Sequence, residues 1–407
     1  MHILISVNSL QQGGAERSAI KLANGLSSDG HQVAIFTWNS SKDFFEPPNL
    51  ASRIYLPPRF SGASKTRKLF PNFLNYRIQL FFDILRFRYL VTSKKFDVVI
   101  GFESIVGSVV ALSLLNSHTP VIVSERISPD PDVHEPQRLA RKLRPWIYEH
   151  GAVCSVQSEA IKIWVKEHWE IDAVITKNHL DNEWFEGESF SIREKTVTAL
   201  GRFDAQKGFD NLISAWALIQ PEVQDWNLVI YGRGDITSCY YLMQEINCPR
   251  VQFKPASPNV AEILRRTGVF VSSSRYEGFP NVVLEALACE APAVATESSD
   301  VIVDFGRQNA LLTVQPENVE QLARSLERMI NSPDIRKELA IKGAELAKEY
   351  RWENVREGWY SAIQEAQKNK GVSIFPRIRT VGKLTIPDIK KIAERIEQNH
   401  KRDPEVK

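Results

Sequence analysis

Cysteine is scarce in this chain of 407 residues: Cys154, Cys239, Cys248 and Cys289 are the four. Thiols so few and scattered exclude a disulfide framework and a cysteine metal site, and they suit a reducing compartment. Long apolar runs are missing. The most apolar window, 98–115, is interrupted by Glu103, which argues against a membrane span. No basic leader precedes the first apolar residues, so a secretory signal is not expected. Net charge is only +2, a balance that excludes a dedicated nucleic-acid binder. No repeat of solenoid period occurs. The remaining composition, 43% hydrophobic and 25% charged, is that of a globular chain long enough for about two to three domains.

What is present is an alternation of strand and helix. Residues 3–7 form a short β-rich run, and 33–37, 96–101, 120–124 and 151–156 continue the series. A helix is expected over 15–28, with apolar residues at Ile20, Leu22, Ala23 and Leu26, and Gly30 sits where it would stop. The series restarts with strands at 196–201, 226–231, 268–274, 292–296 and 310–314, and a helix at 209–219. Near-continuous apolar strands separated by helices predict parallel sheets covered on both faces. The fold class expected is α/β, with two doubly wound, Rossmann-like domains facing a cleft that holds the ligand. The polar stretch 186–195 divides them into an N-terminal domain over 1–185 and a C-terminal domain over 186–366. A final helix near 352–366 returns to the N-terminal domain. Residues 367–407 form a basic extension with a helical stretch near 388–399. The three segments carry charges of +3, −7 and +6.

Four stretches carry chemistry. In SSSRYEGFPNVVLEALACEAPAVAT, from Ser272 onward, a strand ends in polar residues, turns at Gly278 and enters a helix past Phe279, Pro280 and Asn281. Such a turn points backbone N–H groups outward, and the helix dipole favours an anion there. Glu277 precedes the helix. Glu285 lies two turns in, and a helix starting near Pro280 would turn it toward the same cleft. In GRFDAQKG, Arg202 and Lys207 flank a helix start after a strand. Two cations held there suit a bound anion, Arg as a planar fork and Lys as a point charge. After the first strand, Gly13-Gly14-Ala15-Glu16 opens a helix, and paired glycines let backbone approach a phosphate or sugar. This is not G-x-G-x-x-G, so the dinucleotide fingerprint is absent. Ser124-Glu125-Arg126 ends a further strand. Glu125 and Arg126 either hold acceptor or phosphate, or pair with each other.

Glu277, seven residues, then Glu285, in this setting, resembles the signature of the family-four retaining glycosyltransferases of GT-B fold. The resemblance runs from about residue 1 to 366. It implies that Glu277 orients the donor sugar, that Glu285 binds the nucleotide ribose, and that Arg202 and Lys207 clamp the diphosphate. Gly13 and Gly14 resemble the family's GGAE and would lie over the donor phosphates, with Gly278, Phe279, Pro280 and Asn281 completing the donor site. Glu16, Glu125 and Arg126 are the acceptor-side candidates. Two departures stand out. Glu290 occupies a turn where the family usually has glycine, and Ser-Glu-Arg replaces the His or Asp often found near 124–126; a subset of bacterial surface-polysaccharide transferases has a similar stretch.

The implied activity is transfer of a sugar from a UDP- or GDP-sugar to a saccharide or lipid-linked saccharide. Lipopolysaccharide, capsule or exopolysaccharide assembly on the cytoplasmic face is the implied setting. With no obvious covalent nucleophile, a front-face reaction is expected in which the leaving phosphate helps deprotonate the acceptor. No cofactor or metal is expected: Asp130-Pro131-Asp132 lies between prolines and reads as incidental, and the histidines lack ligand spacing. Gly232-Arg233-Gly234-Asp235 follows a strand and reads as a turn. Residues 53–95 carry ten cations against Asp83 alone, interleaved with aromatics. They suit an anionic membrane surface, or a domain helix with solvated cations, or both along different parts. The rivals are a nucleotide-sugar 2-epimerase of GT-B fold, for which no acid/base set with histidine is evident, and a non-catalytic GT-B binding protein, which would be expected to lose part of the Arg202, Lys207, Glu277 and Glu285 set.

Overall fold

The computed structural model describes residues 1–10, 13–39, 51–55, 72–127, 138–187, 193–369 and 371–372. Asp130, Asp132 and most of the basic extension lie outside them. The first half runs β1 (His2–Val7), α1 (Gly14–Ser28), β2 (Gln32–Thr37), β3 (Ala51–Tyr55), α2 (Asn72–Lys94), β4 (Val98–Phe102), α3 (Ser104–Ser113), β5 (Val121–Ser124), α4 (Arg138–Glu149), β6 (Val153–Val156), α5 (Glu159–Trp169) and β7 (Val174–Ile175). These strands form one parallel sheet in the order 3-2-1-4-5-6-7.

The second half runs β8 (Thr196–Phe203), α6 (Phe209–Ile219), β9 (Asn227–Gly234), α7 (Thr237–Glu245), β10 (Val251–Pro255), α8 (Val260–Arg266), β11 (Val269–Ser272), α9 (Asn281–Ala288), β12 (Ala293–Thr296), α10 (Asp300–Arg307), β13 (Leu312–Val314), α11 (Val319–Asn331), α12 (Pro333–Lys348) and α13 (Trp352–Asn369). Its parallel sheet has the order 10-9-8-11-12-13. The fold class expected from the sequence is the one observed.

The strand sequences explain the layers. Alternate residues of β1 point to opposite faces. Ile3, Ile5 and Val7 pack on one side with Ala19, Leu22 and Leu26 of α1, while Leu4 joins Phe87 and Val91 of α2 on the other. A strand buried on both faces must be apolar throughout, which is why these runs were legible. Gly30 takes φ 83, a left-handed turn that suits glycine just past α1. Strands β3, β7 and β10 were not anticipated. Each is a sheet edge, where a strand sees core on fewer sides and needs no continuous apolar run.

Helix α13 covers the first sheet although it follows the second in sequence. Trp359, Ala362, Ile363 and Ala366 enter the same core as Ile3 and Ile5. A fully buried aliphatic such as Ile363 contributes about 1.5–3 kcal/mol. Asp29, just after α1, anchors the helix by accepting from Trp352 Nε1 at 3.0 Å and the Tyr360 hydroxyl at 2.6 Å. The strand order reverses between β1 and β4 in one sheet and between β8 and β11 in the other. Ligands bind at such reversals, at the carboxyl ends of the strands.

Candidate active site

The loops after β1, β4, β8 and β11 line one cavity of about 540 Å³. The first turn of α1 and the first turn of α9 meet there, and a Cβ on Gly14 would lie 3.6 Å from Asn281 Nδ2. Neither N-cap residue, Gly13 or Pro280, supplies a side-chain cap, and in the first turn of α1 the Glu16 carboxylate meets its own amide. Five cations, Arg17, Arg126, Arg202, Lys207 and Arg233, share the wall with three carboxylates, Glu16, Glu103 and Glu277. The surplus of two positive charges suits a bound anion such as a diphosphate.

From the second sheet, Lys207 Nζ donates to Glu277 Oε1 at 2.6 Å, and the Ser274 hydroxyl donates to the same oxygen at 2.7 Å. Lys207 arrives through a turn closed at Gly208, whose φ is 59 and whose Cβ would overlap the Ser273 carbonyl. Arg202 is half exposed and donates through Nε to Asp204 at 2.8 Å and through Nη2 to Gln206 at 3.2 Å. Gly278, Phe279, Pro280 and Asn281 line the cavity. A Cβ on Gly278 would overlap the Arg126 carbonyl, so glycine is what allows the two sheets' loops to touch. Arg126 Nη1 donates to Asn178 Oδ1 at 2.6 Å, and Asn178 Nδ2 donates to Asn281 Oδ1 at 2.8 Å. That relay ties the loop after β5 to the start of α9.

From the first sheet, Gly13 and Gly14 line the cavity, and Glu16 folds back over Gly13, where a Cβ would overlap its carboxylate. Burial pushes the Glu16 carboxyl up, against its own backbone amide, the charges of Arg202 and Arg233, and a hydrogen bond from Ser9. Arg126 is buried and stacks on Phe102 at 4.2 Å and Trp359 at 5.3 Å. Burial pulls its pKa down to about 9, against the charge of Glu103.

Two sequence expectations are corrected. Glu125 does not line the cavity. Consecutive strand-end residues point opposite ways, so Arg126 turns to the cavity while Glu125 turns away. It is fully buried, accepts from Arg144 Nη1 at 3.1 Å and from the Tyr148 hydroxyl, and its partner is therefore not Arg126. Glu285 does not face the cleft either. It lies one turn below Asn281 with no exposed surface, held by Arg17 at 3.0 Å and Lys21 at 3.1 Å, both from α1.

Sequence reasoning passed over Glu103 as a site residue. It lines the cavity between β4 and α3, with φ 69 and ψ 152, a region essentially reserved for glycine. Burial and the nearby Glu16 push its carboxyl up to about 7, against the pull of Arg126. The signal was available: Glu103 is the charge that interrupts the apolar window 98–115, at a strand's carboxyl end. Among the described residues, no group of three or more His, Cys, Asp or Glu could hold a metal ion.

Comparison with known proteins assigns the class. The model "Glycosyltransferase Family 4" matches residues 12–180, and "Glycosyl transferases group 1" matches residues 181–346. The two meet end to end across both sheets, and the chain belongs to this family of glycosyltransferases, with the GT-B fold. It is 26% identical to an uncharacterized glycosyltransferase of Haemophilus influenzae, covering 85% of this chain and 95% of the relative. It is 24% identical to an alpha-1,4-N-acetyl-D-galactosaminyltransferase of Campylobacter jejuni named for a PP-undecaprenol-linked saccharide, covering 90% and 99%. The crystal structure of Anabaena HepE in complex with UDP and glucose is similar in fold, with TM-score 0.72, 15% identity and coverage of 89% and 99%.

Proposed function

We propose that this glycosyltransferase moves a sugar, with retention at the anomeric carbon, from a nucleoside-diphosphate sugar to a saccharide or lipid-linked saccharide in surface-polysaccharide assembly. The observation that carries the reading is the Lys207–Glu277 pair at 2.6 Å, in a cavity lined by the N-terminal turns of two helices and by surplus positive charge. In this reading Lys207 and Arg202 take the diphosphate as it leaves, and Glu277 holds the sugar's hydroxyls. Their contribution is electrostatic and positional, greatest when negative charge has built up on the leaving oxygen. The relative named for a PP-undecaprenol-linked saccharide supports the lipid-linked acceptor, and the structure with UDP supports a uridine nucleotide. The test is turnover of a panel of UDP-, GDP- and ADP-sugars, read as released nucleoside diphosphate. Turnover is expected to survive EDTA, because Arg202 and Lys207 carry the countercharge. No turnover and no nucleoside-diphosphate binding across the panel would overturn the reading.

A membrane surface is the proposed meeting place with such an acceptor. On α2, Phe87 and Val91 are core, whereas Phe81, Phe82, Leu85 and Tyr89 are 58%, 50%, 45% and 75% exposed. Arg88 is not a free surface cation, since it donates to the Ser113 and Leu115 carbonyls at the end of α3. Arg67 and Lys68 lie outside the described residues. No described helix is long and apolar enough to cross a membrane. An exposed aromatic stripe within a cation-rich segment supports binding to an anionic interface. Sedimentation with anionic liposomes should fall with added salt and in a Phe81→Ser/Phe82→Ser/Tyr89→Ser variant; wild type that ignores such liposomes at low salt removes this part of the reading.

A further inference from the structure

We propose that the Glu16 carboxylate is a built-in competitor for the distal phosphate of the donor: it rests where that phosphate binds, and the nucleotide must displace it. The inference rests on the donor reading above and adds the residue that sets how tightly the site holds a nucleoside diphosphate. It moves Glu16 from the acceptor side, where the sequence resemblance put it, to the donor side.

The position of the carboxylate is the first observation. Glu16 lies in the first turn of α1, and its side chain folds back along that turn. A Cβ on Gly13 would lie 2.1 Å from Glu16 Oε2 and 2.9 Å from its carboxyl carbon, so the carboxylate rests on the Gly13 backbone. Gly13 and Gly14 are the backbone that a donor phosphate approaches in the donor reading, and both line the cavity. The carboxylate accepts from its own backbone N–H and from the Ser9 hydroxyl, donors of the kind a phosphate oxygen takes at a helix N-terminus. An anion therefore already occupies this end of α1, and it belongs to the chain.

The charges across the cavity are the second observation. Arg202 and Arg233, from the second sheet, both act on Glu16. They are register partners on the adjacent strands β8 and β9, so they form one cationic edge. Arg202 is the residue assigned above to the leaving diphosphate. The edge that takes the diphosphate is thus the edge that draws Glu16. The other two carboxylates of the wall are placed differently. Glu277 is paired within its own sheet by Lys207, whereas Glu103 is acted on by Glu16 and by Arg126 after β5.

The third observation is that Glu16 is free to yield. Arg202 acts on it by charge alone, since the hydrogen bonds of that guanidinium go to Asp204 and Gln206. Burial penalises the carboxylate where it rests, and turning outward returns it to water and recovers that penalty. A phosphate carries more charge and offers more oxygens to the same amides and cations, so the exchange favours the nucleotide. As the product nucleotide leaves, the carboxylate returns, and the cations that stabilise the departing diphosphate do not trap it.

The experiment uses the full chain as wild type, Glu16→Gln and Glu16→Ala. Calorimetry measures the affinity of each for UDP and UMP, GDP and GMP, and ADP and AMP. A site that its own carboxylate fills about nine-tenths of the time binds its ligand about tenfold more weakly. Both variants are therefore expected to bind the preferred diphosphate about tenfold more tightly than wild type. The matching monophosphate lacks the distal phosphate and should stay within about twofold of wild type. Diphosphate affinity in both variants equal to or weaker than that of wild type overturns the assignment. An equal gain for the monophosphate also overturns it, because a general change in cavity charge strengthens both ligands. A gain confined to Glu16→Ala reports side-chain bulk instead of charge and overturns it as well. Each of these results leaves the donor reading intact. Wild type that binds none of the three diphosphates overturns the donor reading, and the assignment falls with it.

Discussion

Replacing Glu285 with glutamine should weaken the fold more than any contact with nucleotide. Its carboxylate has no exposed surface and sits 3.0 Å from Arg17 and 3.1 Å from Lys21. The Lys21 side chain is only 6% exposed, so the variant leaves a buried ammonium without its nearest counter-charge. Removing one partner of such a pair costs about 3–5 kcal/mol. Three features move this site to the lower end. Arg17 reaches water at 30% exposure. The Trp184 ring lies 5.1 Å from Arg17 and 5.4 Å from Lys21, close enough for a cation–π contribution. Asp181 supplies a second negative charge: burial pushes its carboxyl up, but a hydrogen bond from His179 and the charges of His179, Lys21 and Arg17 hold it below the usual value. About 3 kcal/mol is therefore expected. A paired Glu285→Leu/Lys21→Met variant removes both charges and should lie within about 1 kcal/mol of wild type, because an apolar replacement has no desolvated charge to compensate. Equilibrium urea unfolding followed by tryptophan fluorescence measures this directly, with Trp184 beside the cations as a local reporter. A Glu285→Gln midpoint equal to wild type, or a paired variant weaker than the single one, would refute the reasoning.

Lys207→Ala and Arg202→Ala should each lower kcat by about 100-fold or more, the scale of a lost transition-state donor, in the nucleotide-release assay. Glu290→Gly should raise stability by about 1 kcal/mol in urea unfolding. Glu290 has φ 57 just past α9, where its N–H bonds to Leu287 and the next N–H bonds to Ala286, a helix end that favours glycine. The Glu103 carboxyl, raised from an unfolded value of 4.5 to about 7, makes the folded chain hold a proton that the unfolded chain has released between those values. Stability should accordingly fall as pH rises through that window, and Glu103→Gln should flatten the fall in the urea midpoint.

Local pattern was enough for the architecture. Runs such as ILISV and VVIGF must be strands buried on both faces, and helices between them force the parallel, doubly wound arrangement. The turns rich in Gly, Glu and Lys at the carboxyl ends of β1, β8 and β11 could be picked out for the same reason: a strand-to-helix turn is a local object with local residue requirements. What faces what across the cleft could not be read this way. Glu285 was expected in the cavity because its own helix turns it that way, but α1, 264 residues earlier for Lys21, covers it with two cations. Glu125 and Arg126 are neighbours in sequence, and strand alternation sends one to Arg144 and the other to the cavity. Glu103 looked like an interruption of an apolar window until β4 was set beside β1 and its carboxylate came to lie near Glu16 and Arg126. Strand and helix identity depends on contacts along a few residues of chain, so sequence determines it; partners across a cleft depend on how the two sheets pack together, and only the tertiary structure decides them.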